Sequence, residues 1–413
     1  MTTVSTFSGI FCRETPVVER IIAETGYEKV SDTHIVGEAS RLSGISQQKI
    51  ERAFSAKTSV FNKFTHERER SIAYMKLALA SVLSDKNLVV MGFISHLIPE
   101  SVTHVLRTCL IAGMPFRIQT AVREQDMSEN DAGVFIRKSD EDAAAWVHTL
   151  MDVTDPWDAS LYDMVLPMDK MGMDDVVERI QTTIQKAVVK DTDLSRRAVA
   201  DFLLAADVEV NLANEGHHVG VKCNDGQITL TINKHVLMLN RLEEELVKIA
   251  GQVPGVKTVK AQVGKDFYQA DIYRKHDFKS PSKVLLVDDE REFVETLSER
   301  LVMRDMGSAV AYDGESALQL IEADEPEVMI LDLRMPGIDG IEVLRRVKKT
   351  NPDIEVIILT GHGSDIDKET CMGLGAFAYL RKPVDIDKLS QTIKRANEKI
   401  KRRHATGTAS TST

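Results

Sequence analysis

Polar residues in the C-terminal part of the 413-residue chain follow short apolar segments at positions where they could carry out chemistry. Asp288 and Asp289 come directly after VLLV, and Asp332 stands in VMILDL. Thr360 closes EVIILT, and Lys382 comes two residues after AFAYL. Converging carboxylates repel one another unless a divalent cation joins them, and an oxygen-rich, partly hydrated site suits Mg²⁺. We therefore expect an acidic metal site that also holds a hydroxyl and an ammonium group.

These residue types are the ones that phosphoryl chemistry requires. With a cation neutralising the charge, one carboxylate can attack an activated phosphoryl group and form an acyl phosphate. The lysine and the hydroxyl would then bind the added oxygens. The pattern therefore predicts a phosphoacceptor site whose cofactor is Mg²⁺.

A parallel sheet would bring these residues together. Short apolar runs alternate with helical patterns, and this alternation is typical of a parallel sheet with helices on both faces. The runs are 284–287, 308–312, 328–333, 355–360 and 376–380. In a doubly wound sheet the carboxyl ends of all strands open onto one crevice, so the polar residues are expected to meet there.

Residues 283–404 resemble the receiver domain of two-component response regulators, since LVDDE, LDLRMPGIDG, ILTGHG and YLRKP all agree with that family. The resemblance implies a doubly wound (βα)5 domain in which Asp332 is the phosphoacceptor. It also implies that Asp288, Asp289 and Asp332 hold Mg²⁺ together with the backbone carbonyl of Arg334.

The resemblance further assigns roles to three residues near the acids. Lys382 would pair with the phosphoryl group, Thr360 would move to hydrogen-bond it, and Tyr379 would change rotamer as the readout. The Lys382-Pro383 bond is expected to be cis. The implied partners are a sensor histidine kinase or phosphotransfer protein as donor and a protein that receives the output. A homodimer is a further expectation.

The N-terminal stretch SGIFCRET, residues 8–15, stands where a nucleotide-binding protein keeps its phosphate-binding loop. A loop of the type G-x-x-x-x-G-K-[ST] needs glycines so that backbone N–H groups approach the phosphates, and a lysine for their charge. Gly9 is present, but Glu14 and Thr15 stand where the second glycine and the lysine are required. A carboxylate facing a polyphosphate weakens binding.

Residues 1–190 resemble the cytidylate-kinase-like family, a branch of the P-loop nucleoside monophosphate kinases. The opening loop, VVERIIAETGYEKVSD, NLVVMGFISHLIPESVTHVLRTCLIA and WDASLYDMVL carry the resemblance. It implies a P-loop kinase-like α/β domain in which Gly9, Arg13 and Thr15 would contact a nucleotide.

The lid region departs from that family's pattern. An arginine is expected close to Ala143, but the sequence reads Ala143-Ala144-Ala145, with Arg137 and Lys138 as the nearby cations. Phosphoryl transfer depends on cations around the migrating charge, so we expect a degenerate domain without robust nucleotide kinase activity.

Residues 193–270 have the pattern of a small α+β unit. A helix precedes HHVGVKCNDGQITLTIN, in which two alternating strands meet at Asn224-Asp225-Gly226, a strong hairpin signal. A helix over 241–253 and a strand over 256–263 complete the unit, which resembles a BON-type domain, usually a binding module. Residues 271–282 are expected to be a linker, and residues 405–413 a disordered tail.

Composition excludes several classes of protein. The formal net charge of −11 disfavours nonspecific nucleic-acid binding, and we expect no specific nucleic-acid partner. No apolar run approaches the roughly 18 to 20 residues of a membrane span, and the start lacks a secretory signal, so a cytoplasmic protein is expected. The four cysteines are too widely spaced for a disulfide framework or a zinc site.

The sequence thus favours a multi-domain α/β signalling protein that is phosphorylated on Asp332 and signals through its N-terminal domains or a partner. Two alternatives remain open. The first is a CMP-type nucleoside monophosphate kinase whose activity the receiver regulates, and the second is a phosphorelay intermediate with no output of its own.

Overall fold

The structure, a computed structural model, divides the chain into two compact units. The first comprises Met1–Thr58 and Glu67–Arg274, and the second comprises Ser59–His66 and Lys275–Thr413. The residues that the structure describes are 2–57, 59–84, 86–234, 239–264, 283–302, 304, 306–361 and 364–407. Each unit contains its own parallel sheet of five strands.

In the described residues before 185, seven α-helices and five β-strands of the first unit form its five-stranded sheet and the helical layers around it. In chain order, the elements up to residue 184 are β1 (Thr3–Ser8), α1 (Glu14–Thr25), β2 (Glu28–Ser31), α2 (Asp32–Ser43), α3 (Gln47–Glu51), α4 (Asn62–Thr65, in the second unit), α5 (Glu67–Val82), β3 (Leu88–Met91), β4 (Val105–Ile111), α6 (Met114–Gln125), α7 (Glu129–Met151), β5 (Met164–Pro167) and α8 (Met173–Ile184). The strand order is β2-β3-β1-β4-β5, with all neighbours parallel. Because β1 is central, the loop that follows it opens at the middle of the sheet's carboxyl edge.

A second, smaller sheet lies in the same unit. The sheet and the two helices that pack on it are, in chain order, α9 (Asp193–Asn214), β6 (Gly220–Asn224), β7 (Gln227–Ile232), α10 (Leu239–Gly251) and β8 (Thr258–Val263). The strands β6 and β7 form the expected antiparallel hairpin, in which Asp225 and Gly226 have positive φ values of 49° and 75°. The strand β8 pairs with β7 in parallel. The predicted hairpin and the helices and strands around it are therefore confirmed.

The helix α9 serves two hydrophobic cores. Val199, Phe202 and Val210 join the core beneath α2 and α5, whereas Val208 and Leu212 join the core of the small sheet. The compact unit formed by Met1–Thr58 and Glu67–Arg274 spans the boundary predicted near residue 190, and the division into domains at 1–190 and 193–270 stays a prediction.

The second unit has the expected doubly wound sheet. Its elements after residue 282 are β9 (Val284–Val287), α11 (Arg291–Val302), β10 (Ser308–Ala311), α12 (Gly314–Ala323), β11 (Val328–Leu331), α13 (Gly340–Thr350), β12 (Glu355–Thr360), α14 (Asp365–Gly373), β13 (Ala378–Arg381) and α15 (Ile386–Gly407). The strand order is β10-β9-β11-β12-β13, all parallel. Buried apolar side chains from both strand faces pack under helices, which explains why the strand sequences are almost continuously hydrophobic.

Several other sequence expectations bear on the ends of these elements. The helix α15 continues to Gly407, three residues beyond the predicted domain end at 404. The proposed linker 271–282 and the last part of the proposed tail, 408–413, lie outside the described residues. The four cysteines are free thiols, and Cys12, Cys109 and Cys371 are buried. Within the described residues, no helix combines the length and apolar character that crossing a membrane requires.

The shared role of α9 makes a testable prediction about the first unit. Phe202→Ala removes a side chain that is 7% exposed and should destabilise this unit by about 3 kcal/mol, because it leaves a cavity under α5. Leu194→Ala, on the same helix but 75% exposed, should change stability by less than about 0.5 kcal/mol. Urea unfolding followed by tryptophan fluorescence measures this unit, since Trp146 and Trp157 both lie in it. Equal midpoints for both variants would contradict the shared core.

Candidate functional site

Three acidic residues of the second unit form one cluster, called the acidic cluster below: Asp288, Asp289 and Asp332. Val287 and Leu331 are paired across β9 and β11, so the residues that follow them, Asp288 and Asp332, lie side by side. The Asp332 N–H donates to the Val287 carbonyl at 2.9 Å. Carboxylate oxygens of all three acids lie within 4.8 Å of one another. Asp288 and Asp332 are buried, whereas Asp289 is exposed.

Lys382 balances part of this negative charge. Its Nζ lies 2.7 Å from Asp288 Oδ2 and 2.9 Å from Glu290 Oε1, and 4.4 Å from the centroid of the Phe293 ring. Burial raises the pKa of Asp288, although the hydrogen bond from Lys382 opposes the shift. Burial alone would lower the pKa of Lys382, but the hydrogen bonds and charges of Asp288 and Glu290 outweigh it and raise that pKa. The lysine is therefore held as a cation beside the acids.

One oxygen of the acidic cluster is available for a ligand. Asp332 Oδ1 is inaccessible to solvent and has no hydrogen-bond partner among the described residues. A buried carboxylate oxygen without a partner is costly, so a cation or another donor placed there would stabilise it. The oxygen-only donor set and the short spacing of the three carboxylates fit a divalent cation such as Mg²⁺.

The remaining predicted residues surround the same edge of the sheet. Thr360 is buried at the end of β12, and its carbonyl accepts from the Lys382 N–H at 2.9 Å. Tyr379 lies in β13 against the core, and its buried hydroxyl has no hydrogen-bond partner in the described part of the chain. Arg334 is exposed in the loop after β11. The Lys382-Pro383 peptide bond is cis, as predicted.

Two contributors to this edge were missed in the sequence. Glu290, the second carboxylate that binds Lys382, follows Asp289 directly in the run DDE. Gly340 begins α13 so close to the loop after β11 that a Cβ there would lie 2.1 Å from the Asp332 carbonyl oxygen. The second glycine of MPGIDG could have signalled this close approach, because only glycine allows it.

The loop after β1 borders a separate cavity in the first unit, called the N-terminal pocket below. Its volume is about 340 Å³, and its lining includes Gly9, Arg13, Glu14, Thr15 and Asp32. The predicted nucleotide-contacting residues therefore do line one cavity. Three acidic side chains, Glu14, Asp32 and Glu124, line the same cavity, whereas a phosphate requires cations.

Two acids of the N-terminal pocket, Glu14 and Asp32, are partly shielded from water. Burial, reinforced by repulsion from Asp32, raises the pKa of Glu14 to about 8. Glu14 Oε1 is buried and has no hydrogen-bond partner among the described residues. Burial also raises the pKa of Asp32 to about 6, although its carboxylate accepts hydrogen bonds from the N–H groups of Phe93 and Ile94.

The two arginines near this loop, Arg13 and Arg117, each contact another side chain. The Arg13 guanidinium lies 5.1 Å from the centroid of the Phe116 ring. Arg117, which the sequence did not single out, donates to the Ile10 carbonyl at 2.8 Å and to both carboxylate oxygens of Asp140. Arg117 thus holds the loop in place through the Ile10 carbonyl, and its charge is neutralised by Asp140 at 2.7 Å.

The lid residues Ala143, Arg137 and Lys138 all lie on α7. Ala143 is buried in a small core with Phe7 and Cys109, so no cation reaches the N-terminal pocket from this position. Arg137 and Lys138 are exposed on α7 and do not belong to the residues that line the pocket.

The motif WDASLYDMVL has a structural role in the first unit. The Tyr162 hydroxyl donates to the Pro156 carbonyl at 2.6 Å and lies 2.9 Å from His96 Nε2. Asp158 accepts from the Ser160 N–H, and Asp163 accepts from the Arg107 N–H, both at 2.8 Å. These contacts hold the segment that precedes β5 in place. The match to the motif is therefore better evidence for a shared fold than for catalysis.

The N-terminal and C-terminal parts of the chain match two different protein families. Residues 284–394 match the response regulator receiver domain, and residues 4–170 match the cytidylate kinase-like family. Both resemblances inferred from the sequence are thereby confirmed, and the C-terminal sheet is that of a receiver domain.

Curated relatives match the C-terminal part. Response regulator MprA of Mycolicibacterium vanbaalenii is 36% identical over 109 residues, which are 26% of this chain and 47% of the relative. Response regulator MprA of Mycobacterium avium is 35% identical over 107 residues, again 26% of this chain and 47% of the relative. The chain thus spans about half the length of these relatives.

Solved structures also match this part. A CheY-like response regulator receiver domain protein from Methanospirillum hungatei has 25% identity and a TM-score of 0.29, covering 29% of this chain and 97% of its own. The receiver domain of Francisella response regulator 1452 has 35% identity and a TM-score of 0.27, covering 30% of this chain and 99% of its own.

The buried carboxyl of Glu14 makes the stability of the first unit depend on pH. Because the folded pKa of about 8 exceeds the ordinary value of 4.5, the folded protein keeps a proton that the unfolded chain releases. Stability from this residue is therefore complete below about pH 4.5 and is lost as pH rises towards 8. Glu14→Gln should raise the free energy of unfolding by about 1–3 kcal/mol near pH 8.5 and have little effect near pH 5.

Glu19→Gln, an exposed change on the same helix, is the matched control and should leave the pH profile unchanged. Tryptophan-monitored urea unfolding across this pH range gives the profiles of all three proteins. If the wild type and Glu14→Gln have the same pH slope, Glu14 is not the buried acid described above.

Proposed function

We propose that this protein is a response regulator of a two-component phosphorelay that accepts a phosphoryl group on Asp332 from a histidine kinase or phosphotransfer protein. The observation that carries the proposal is the acidic cluster beside Lys382, in which Asp332 has a buried oxygen without a partner. Nothing in the core requires three carboxylates at this edge. Their mutual repulsion is a cost that a structural role does not explain.

Mg²⁺ is the proposed cofactor. Asp288, Asp289 and Asp332 would hold it, together with the backbone carbonyl of Arg334, and the spacing of the three carboxylates supports this set. When bound, the cation supplies positive charge that lets a carboxylate approach an anionic phosphoryl group.

The phosphoryl transfer itself is a displacement at phosphorus. A carboxylate oxygen of Asp332 forms the new P–O bond while the P–N bond of a phosphohistidine donor breaks, and its electron pair stays on the imidazole nitrogen. The product is an acyl phosphate on Asp332.

Three neighbouring residues would stabilise and read this product. Lys382 has three N–H donors, of which Asp288 and Glu290 accept two, so one can turn to a phosphoryl oxygen. The Thr360 hydroxyl, at the end of the adjacent strand, would bind another oxygen. A shift of Thr360 would free space for Tyr379, whose buried hydroxyl would gain a partner by turning outward.

The first unit is proposed to carry the output as a binding domain with a kinase-like fold. Glu14 and Asp32 stand where a phosphate would need cations, and acidic side chains at these positions support a non-catalytic role. The output would then pass to a protein partner, in the cytoplasm, and a homodimer is one form that this contact can take. The BON-like part, residues 193–270, is proposed to contribute to the same binding unit.

The specific observation in favour of a nucleotide kinase is the family match over residues 4–170 together with the N-terminal pocket. The acids of that pocket weigh against it, because each lost cation costs orders of magnitude in phosphoryl-transfer rate. We therefore keep the kinase as the second candidate.

Labelling by a small phosphodonor tests the first candidate. With acetyl phosphate and Mg²⁺, the wild type should gain one phosphoryl group by intact mass, and Asp332→Ala should gain none because the nucleophile is missing. Asp353→Ala, with a side chain 71% exposed in the same unit, should label like the wild type. Equal labelling of Asp332→Ala and the wild type would contradict the proposal that Asp332 is the phosphoacceptor.

Thermal unfolding with nucleotides separates the two candidates. A nucleotide bound with a Kd of 0.1 mM or less would stabilise the first unit by about 1.4 kcal/mol at roughly 1 mM. We expect millimolar ATP or CMP to leave the Tm of the tryptophan-monitored transition unchanged in the full chain. A rise of several degrees with either nucleotide would restore the kinase hypothesis.

A further inference from the structure

The segment Ser59–His66 belongs to the C-terminal unit, although the residues before and after it belong to the N-terminal unit. The segment is a compact turn of helix. The N–H of Asn62 donates to the Ser59 carbonyl at 3.0 Å, and the N–H of Thr65 donates to the Phe61 carbonyl at 3.0 Å. His66 then ends the turn with a φ of 46°. A short helical turn that lies more than 200 residues before the receiver in the sequence thus forms part of the C-terminal unit.

Phe61 anchors this element in the receiver core. Its side chain has no exposed surface and joins the apolar cluster that contains Leu285, Met329 and Ile321. The neighbouring Val60 is 42% exposed. A buried aromatic ring of this kind contributes several kcal/mol to a core, so the receiver core includes a residue that its own sequence does not supply.

A buried ion pair forms the polar half of the contact. Lys283 Nζ lies 3.0 Å from Asp324 Oδ1, with side chains 3% and 6% exposed. The Ser59 hydroxyl donates to the other carboxylate oxygen of Asp324, and the Lys283 ammonium lies 5.9 Å from the Phe61 ring centroid. A buried ion pair is stable only when its remaining oxygens are also hydrogen-bonded, and Ser59 provides such a bond.

The anchor adjoins the two strands that carry the acidic cluster. Lys283 directly precedes β9, and its carbonyl accepts from the N–H groups of Glu327 and Val328 at 2.9 and 3.2 Å, where β11 begins. Each strand has four residues, so the acidic cluster lies about 13 Å along the same strands. A shift of these strands on phosphorylation would therefore move Lys283, the lysine of the Lys283-Asp324 pair.

We propose that Ser59–His66 is an intramolecular ligand of the receiver, and that its binding to the Lys283-Asp324 edge is coupled to the state of Asp332. The coupling rests on the proposed phosphoacceptor function, whereas the docking contact does not. The receiver would communicate with the N-terminal unit through this segment, because the chain enters and leaves it from that unit. Coupling between two binding events is reciprocal, so each must change the other by the same factor.

Hydrogen exchange of the full chain tests the docking contact. Phe61→Ala should speed exchange in peptides covering 59–66, 283–287 and 328–331 by on the order of tenfold or more, because the anchor is lost. Val60→Ala is the matched control and should leave these rates unchanged. Ser59→Ala, which removes one hydroxyl, should have a smaller effect in the same peptides. Unchanged exchange in both Phe61→Ala and Ser59→Ala overturns the docking contact.

Beryllofluoride with Mg²⁺ tests the coupling, because this probe mimics a phosphoryl group on a carboxylate. We expect it to slow exchange of residues 59–66 in the wild type, and Ser59→Ala to weaken its binding by no more than that factor, measured by fluorine NMR. Binding without either change overturns the coupling alone. Failure of the wild type to bind the probe overturns the coupling and the phosphoacceptor assignment together, while the docking contact is still judged by the exchange of Phe61→Ala.

Discussion

The contact between Lys382 and Asp288, 2.7 Å long, is the interaction on which the candidate site depends. Three carboxylates meet at the carboxyl edge of the C-terminal sheet, and without a cation their repulsion would separate the ends of β9 and β11. Lys382 supplies that charge from the far side of the sheet through the loop after β13. The three carboxylates therefore repel one another in the assembled site. A bound divalent cation would reduce this repulsion, and a phosphoryl group would then change the distribution of charge.

Both sheets of this protein present acidic side chains at equivalent places. Each has a central strand that ends in a loop at the carboxyl edge, where α/β proteins bind ligands. In the C-terminal sheet that edge holds acids with an ammonium group beside them. In the N-terminal sheet Glu14 and Asp32 line the N-terminal pocket, while Arg117 is paired with Asp140. We therefore propose phosphoryl chemistry at Asp332 and a binding role for the first unit.

Local patterns in the sequence predicted most of the fold and of the C-terminal site. Apolar runs gave the five strands, and strand ends placed Asp288, Asp332 and Thr360, because period and position determine both. The role of α9 in two cores was not predictable, since the helical pattern does not say which neighbours cover each face. Phe61 was missed for the same reason: its partners lie more than 200 residues away, and no short motif records them.

The position of the phosphoryl group is the most direct test of this account. After reaction of the full chain with acetyl phosphate and Mg²⁺, borohydride reduction converts an aspartyl phosphate to homoserine, which peptide sequencing by mass spectrometry locates. The account predicts homoserine at position 332 and at no other acidic residue. Homoserine at Asp288 or Asp289, or a phosphoryl group retained within residues 4–170, would contradict it.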